Sequence, residues 1–120
     1  MPTVRIVQVD AETLRALAEG ATPSTAPVPL TEQLTGLEHS SLWRRRRRQV
    51  DADPAAATWV TGVVWDSGIR TAVGRAGFRG PPDGTGMVEI GNAVDPAYRR
   101  RCYARAALTV LLDRAARERR

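Results

Sequence analysis

The last third of the chain changes its hydrophobic period across one short turn, so a strand must hand over to a helix that lies back on the strand's own sheet. "MVEIGNAV", Met87 to Val94, reads as a strand, and Cys102 to Arg117 reads as a helix. Ala104, Ala107, Leu108, Leu111, Leu112 and Ala115 fall at i, i+3, i+4, i+7, i+8 and i+11 of a 3.6-residue repeat. Arg105, Thr109, Asp113 and Arg117 lie off that stripe. The stripe is expected to pack on a sheet. Between the two elements lies "DPAYRRR", Asp95 to Arg101, with three consecutive arginines at the mouth of the helix.

The rest of the chain supplies the sheet. Thr3 to Val9 is rich in β-branched residues and reads as a first strand. Asp10 is placed to cap a helix over Ala11 to Glu19, which Gly20 ends. "GATPSTAPVPL" is a loop by its Pro, Ser, Thr and Gly content. Thr31 to Ala52 reads as a helix that stops at Asp53-Pro54. Trp59 to Trp65 and Arg70 to Phe78 read as strands joined by a turn at Asp66, Ser67 and Gly68, an antiparallel hairpin, and "RGPPDGTG" is a further break. The order β-α-α-β-β-β-α predicts a mixed α/β domain (α+β) with a largely antiparallel sheet and flanking helices. At 120 residues, 42% hydrophobic and 26% charged, one domain over residues 1–120 is expected, with one modest core.

Several classes are set aside by what is missing. No apolar run is long enough to cross a bilayer, and "MPTVRIVQVD" has no signal-peptide character, so a cytoplasmic protein that does not use a membrane is expected. Cys102 is the single cysteine and His39 the single histidine, too few for a disulfide or a structural zinc site, so no metal is expected. The net charge of +5, with all 18 basic residues arginine, draws anions without choosing among them. Arg44 to Arg48 could grip nucleic-acid phosphates, but only Trp43 stands beside them as a stacking ring, and a solvated helix face is the preferred reading. Trp59 and Trp65 share a strand face by their even spacing and are expected in the core, and His39 is expected at the surface. "RGPPDGTG" lacks the lysine and following Ser/Thr of a nucleotide-binding loop.

A helix beginning just after Arg101 aims its unpaired N–H groups and positive dipole end into the turn of Tyr98 to Arg101. With arginines added, that turn suits a doubly charged pyrophosphate better than a single carboxylate. On these residues alone, a plain solvated loop stays open as the alternative.

The segment "MVEIGNAVDPAYRRRCYARAALTVLLDRA" resembles the acetyl-CoA-binding core of the GNAT acetyltransferase superfamily, in particular the branch similar to ribosomal-protein alanine N-acetyltransferases. That family follows a strand with P-x-[YW]-[RQ]-x-x-G-x-[GA] and a helix. Here the pattern is Pro96-Ala97-Tyr98-Arg99-Arg100-Arg101-Cys102-Tyr103-Ala104. The order of the earlier elements is similar as well. The resemblance implies a GNAT-like fold and transfer of acetyl from acetyl-CoA to a primary amine, on a protein N-terminus or a small molecule. The amine would attack the thioester directly. The backbone N–H groups from Arg99 to Ala104, through Arg100, Arg101, Cys102 and Tyr103, would cradle the coenzyme A pyrophosphate, with the Arg99 and Arg100 side chains adding charge. Ile90, Ala93 and Val94 would pair their backbone with the pantetheine arm. Glu89 is the carboxylate placed to strip a proton from the amine, a task with a clear need because only the neutral amine attacks. The Arg44 to Arg48 region would line the acceptor side of the cleft.

Two departures carry expectations of their own. Cys102 stands where the family has glycine: at φ below zero its cost is crowding, whereas at positive φ strain of about 1 kcal/mol and weaker coenzyme binding are expected. Family members also continue past this helix with a further strand, a helix that often carries a general-acid tyrosine, and two closing strands, whereas this sequence ends at "RAARERR". The resemblance then implies a cleft incomplete at its C-terminal side and a fourth strand with an open edge, a route to a homo-oligomer. The rival to an enzyme is a non-catalytic arginine-rich module for an anionic partner such as nucleic acid, or an inactive truncated family member.

Overall fold

The computed structural model describes residues 3–20, 28–80 and 89–118. Most of the two predicted loops, together with Met87 and Val88 of the predicted fourth strand, lies outside the described residues.

Strand β1 (Val4–Val7) leads through Asp10 into helix α1 (Ala11–Ala18). The Asp10 carboxylate accepts the Thr13 N–H at 2.7 Å, satisfying a donor that the helix itself cannot use. Leu14, Leu17 and Ala18 are the face it buries. Gly20, at φ +76°, closes the helix in the left-handed region that glycine enters without a Cβ penalty. The helix predicted over Thr31 to Ala52 is two helices. Gly36 is extended, with φ −77° and ψ 174°, and separates α2 (Glu32–Thr35) from α3 (Leu37–Ala52). Helix α3 ends where predicted, because Asp53 precedes proline and takes an extended conformation.

A 3-10 turn over Pro54–Thr58 then delivers the chain to β2 (Gly62–Asp66), β3 (Thr71–Phe78) and β4 (Ile90–Val94), and helix α4 (Tyr103–Glu118) follows. The sheet order is β1-β2-β3-β4 and every pairing is antiparallel. This is the mixed α/β architecture that the sequence predicts. Alternation along β2 sends Val63 and Trp65 to one face and Val64 to the other, which builds two cores. The first lies under α1, α2 and α3 and is filled by Leu17, Leu34 and Trp43. The second lies under α4, with Val73, Phe78, Tyr103 and Leu111. Among the described residues no helix is long and apolar enough to cross a membrane.

Three expectations are corrected here. Trp59 precedes β2, so the period-two argument does not reach it. Its ring packs on Phe78 at 5.4 Å, on the α4 side and under the Arg114 guanidinium at 4.5 Å, while Trp65 sits in the core on the other face. His39 is buried, with 9% of its surface exposed, and its Nδ1 accepts the Arg75 Nε–H at 2.8 Å. The α4 stripe is rotated from its predicted position: Tyr103, Ala106, Ala107 and Leu111 are buried, whereas Leu108 and Leu112 are 39% and 53% exposed. The cause lies in the first turn, where the Tyr103 hydroxyl bonds to Asp66 in the sheet and sets which side of α4 faces inward.

Candidate functional site

The sequence DPAYRRRCY builds its turn in two steps. Asp95 Oδ1 accepts the Ala97 N–H at 2.9 Å and the Asp95 carbonyl accepts the Tyr98 N–H at 2.8 Å, so Pro96–Tyr98 forms one 3-10 turn off the end of β4. The chain then reverses through two residues in the left-handed region, Arg100 and Cys102, each at φ +67°. Neither is glycine. Each side chain costs about 1 kcal/mol or more in this conformation, and Cys102 therefore takes the strained branch of the expectation set out above.

Three contacts hold the turn. Arg99 Nε donates to the Val94 carbonyl at 3.3 Å, the Arg101 guanidinium lies 5.6 Å from the centre of the Tyr98 ring, and Tyr98 meets Tyr103 edge to face at 6.2 Å. The deepest tie joins the Tyr103 hydroxyl to Asp66 at the end of β2, where Asp66 also accepts the Gly68 N–H at 2.7 Å. The Tyr103 hydrogen bond holds the Asp66 carboxyl below its ordinary range, against the opposing effect of burial. Burial, with the Asp66 bond second, pushes the Tyr103 phenol up to about 12. Both groups therefore keep their paired states, acid and carboxylate, across the physiological range.

The product of this bracing is an open helix start. Helix α4 makes its first backbone bond from Ala106 N–H to the Cys102 carbonyl at 2.9 Å. Among the described residues nothing accepts from the amides of Tyr103, Ala104 or Arg105. In front of them is a cleft of about 440 Å³. Asn92 and Val94 of β4 form one side, the Arg99 and Arg100 turn a second, and Cys102 with Ala104 and Arg105 the third. Free N–H donors, the positive end of a 16-residue helix and three arginines thus converge on one cleft.

The other predicted residues fall as follows. Cys102 and Ala104 are exposed at the cleft, while Arg101 is turned onto Tyr98 and is not part of the lining. The Glu89 carbonyl accepts from Arg79 N–H and Asp95 N–H donates to the Val73 carbonyl, which sets the phase of the β4 ladder. By alternation Gly91 and Ala93 direct their backbone groups to β3, and Ile90, Asn92 and Val94 direct theirs to the edge that has no partner strand among the described residues. Glu89 precedes β4, is exposed, and has its carboxylate 3.7 Å from Arg79. Asn92, Arg105 and Asp66 belong to the site or its bracing and were not among the site residues expected from the sequence. Asn92 could have been found from the period of β4, whereas Asp66 carries no local signal.

The arginine run on α3 is broken up by the helix period. Arg46 is buried, Arg47 pairs with Glu19 at 3.4 Å and Asp51 at 3.8 Å, and Arg44, Arg45 and Arg48 stay exposed. It offers no continuous five-residue strip to a phosphate backbone. No group of three His, Cys, Asp or Glu side chains among the described residues could hold a metal ion.

The sequence model of the acetyltransferase (GNAT) family matches residues 23–120, four fifths of the chain, including β4, the turn and the helix α4 that form the cleft. Among curated proteins and solved structures no match is found.

Proposed function

Since the chain belongs to the acetyltransferase (GNAT) family, we propose that it is a cytoplasmic N-acetyltransferase that binds the acetyl-CoA pyrophosphate at the start of α4 and passes the acetyl group to a primary amine. The observation that carries this reading is the cleft in which the unbonded amides of Tyr103, Ala104 and Arg105 face outward between Arg99, Arg100 and Arg105. A pyrophosphate supplies the acceptors and the charge that these groups lack. From there the pantetheine arm would follow the open edge of β4, taking hydrogen bonds from the outward groups of Ile90, Asn92 and Val94 as an added strand does.

In the transfer itself the amine nitrogen attacks the thioester carbon. The new N–C bond replaces the C–S bond, the thiolate leaves, and the nitrogen gives up one proton. Glu89 stands beyond the Ile90 end of that edge and is proposed to take the proton through water. Arg79 lies 3.7 Å from the Glu89 carboxylate and orients it. The acceptor is proposed to be a protein N-terminus or a small-molecule amine.

Calorimetric titration with coenzyme A tests the reading directly. Saturable binding is expected, with a rise in melting temperature on adding acetyl-CoA. Absence of both at millimolar ligand removes the enzyme reading.

A further inference from the structure

On the face of β4 opposite the cleft, Arg46 and Arg75 have no carboxylate partner among the described residues. Arg75 lies opposite Ala93 in the β3–β4 register, so both project toward the α3 side, as does Gly91. Among the described residues a Cβ on Gly91 would have only Arg79 Nε near it, at 3.9 Å. Gly91 and Ala93 thus make a floor of minimal bulk, between Arg75 at one end and Arg79 at the other. Behind it stands α3 with Arg46, which is 7% exposed.

The bonds made by these arginines are unusual for buried or half-buried guanidiniums. Arg46 gives Nε–H to Thr61 Oγ1 at 3.2 Å, and its Nη1 donates to Gln49 Oε1 at 3.0 Å and to the Arg79 carbonyl at 3.3 Å, all neutral acceptors. Arg75 gives Nε–H to His39 Nδ1, also neutral when it accepts, and its two terminal nitrogens have no partner among the described residues. Among the described residues the one carboxylate paired with any of these three arginines is Glu89, held by Arg79 across 3.7 Å at a well-exposed site. Buried charges are ordinarily paired, because an unpaired one forfeits its hydration without return. Burial lowers the proton affinity of both Arg46 and Arg75, and neighbouring arginines lower that of Arg46 further, which marks a region of concentrated like charge. His39 fixes the Nε side of Arg75, so its free fork is presented for bidentate contact with an oxyanion.

We infer that the Arg75 fork, backed by Arg46 and Arg79 over the Gly91–Ala93 floor, is the acceptor recognition point, and that the amine acetylated by this chain carries an oxyanion, a carboxylate or a phosphate, a short distance from its nitrogen. This rests on the acetyltransferase reading. It gives the two faces of β4 separate tasks, with the coenzyme diphosphate on the α4 side and the acceptor anion on the α3 side, near the carboxylate of Glu89.

The test pairs charged and neutral amines with acetyl-CoA: β-alanine against β-alaninamide, and phosphoethanolamine against ethanolamine, followed by thiol release. The charged member of at least one pair should have a kcat/KM about tenfold or more higher, and which pair does so separates carboxylate from phosphate. Arg75→Gln should bring that ratio near one, and Arg75→Lys should retain part of it. Because Arg46 braces α3 against the sheet, Arg75 is the position to vary. A second measurement needs no catalysis: the Arg75 Nε–H resonance should move saturably when β-alanine or phosphoethanolamine is added, and not with their neutral counterparts. Coenzyme A binding with equal rates for charged and neutral amines, or an unmoved Arg75 resonance, overturns the acceptor site alone. A chain that fails to bind coenzyme A overturns the acetyltransferase reading, and the resonance titration then decides the anion site independently.

Discussion

Helices α1 and α4 begin in opposite ways. At α1 the preceding residue is extended and carries Asp10, whose carboxylate takes the Thr13 N–H, so the helix start is satisfied by its own chain. At α4 the preceding residue is Cys102 at φ +67°, with no side chain accepting from the first turn among the described residues and arginines around it. A helix end that serves only the fold is closed by the nearest short polar side chain, which stabilises it by about 1 kcal/mol. An end left open, strained at two positions and braced by a buried tyrosine, forgoes that stability and keeps its donors for something outside the chain. The contrast separates a terminus closed by its own chain from one left open, as the proposed coenzyme seat requires.

The largest test of that contrast is Arg99→Ala with Arg100→Ala. Two charge-assisted contacts at about 1.5 kcal/mol each predict a loss of roughly 100-fold in coenzyme A affinity by calorimetry, with thermal stability nearly unchanged. An equal affinity in the double variant would leave the turn a solvated loop. Next comes Tyr103→Phe, which leaves the buried Asp66 without its hydroxyl donor and should cost about 2 kcal/mol in denaturant unfolding. The same variant sharpens the pH behaviour. Tyr103 has a folded pKa of about 12 against an ordinary 10.0, so it stabilises the fold fully below 10.0, and that contribution is lost as pH rises toward 12. Asp66 is depressed below 3.8, so its contribution is present above that value and is lost as pH falls through its folded pKa. In Tyr103→Phe the alkaline loss between pH 10 and 12 should flatten, and an unchanged profile would assign it to another group.

Asp10→Ala should lower stability by about 1 kcal/mol and leave coenzyme A affinity untouched, the converse of the arginine pair. The smallest change is Cys102→Gly. Relieving the side chain at positive φ should raise stability by roughly 0.5 to 1 kcal/mol and tighten coenzyme A binding a few-fold. Weaker binding would mean that the thiol contributes to the seat.

Much of the fold was legible in local pattern. Asp10 before an apolar stripe announced its own cap, Pro54 announced the end of α3, and the change of period from Ile90 to Leu111 announced the strand, turn and helix that frame the cleft. The matches fail wherever a residue's role depends on a partner far along the chain. His39 is buried because Arg75, 36 residues away, bonds to it. Arg46 leaves the apparent charge run because Thr61 and the Arg79 carbonyl receive it. The two tryptophans part company because a 3-10 turn, absent from any alternation rule, precedes β2. A β-bulge between Val64 and Trp65 then shifts the register against β3.

By itself, the sequence determined the elements, their order and the chemistry concentrated at one turn, since periodicity, capping and arginine content act over a few residues. Only the tertiary structure decided which way α4 is turned, where the buried guanidiniums look and which face of β4 each charge serves. Those choices rest on contacts such as Asp66 with Tyr103, 37 positions apart in the chain, and packing against a distant surface leaves no mark on the local pattern.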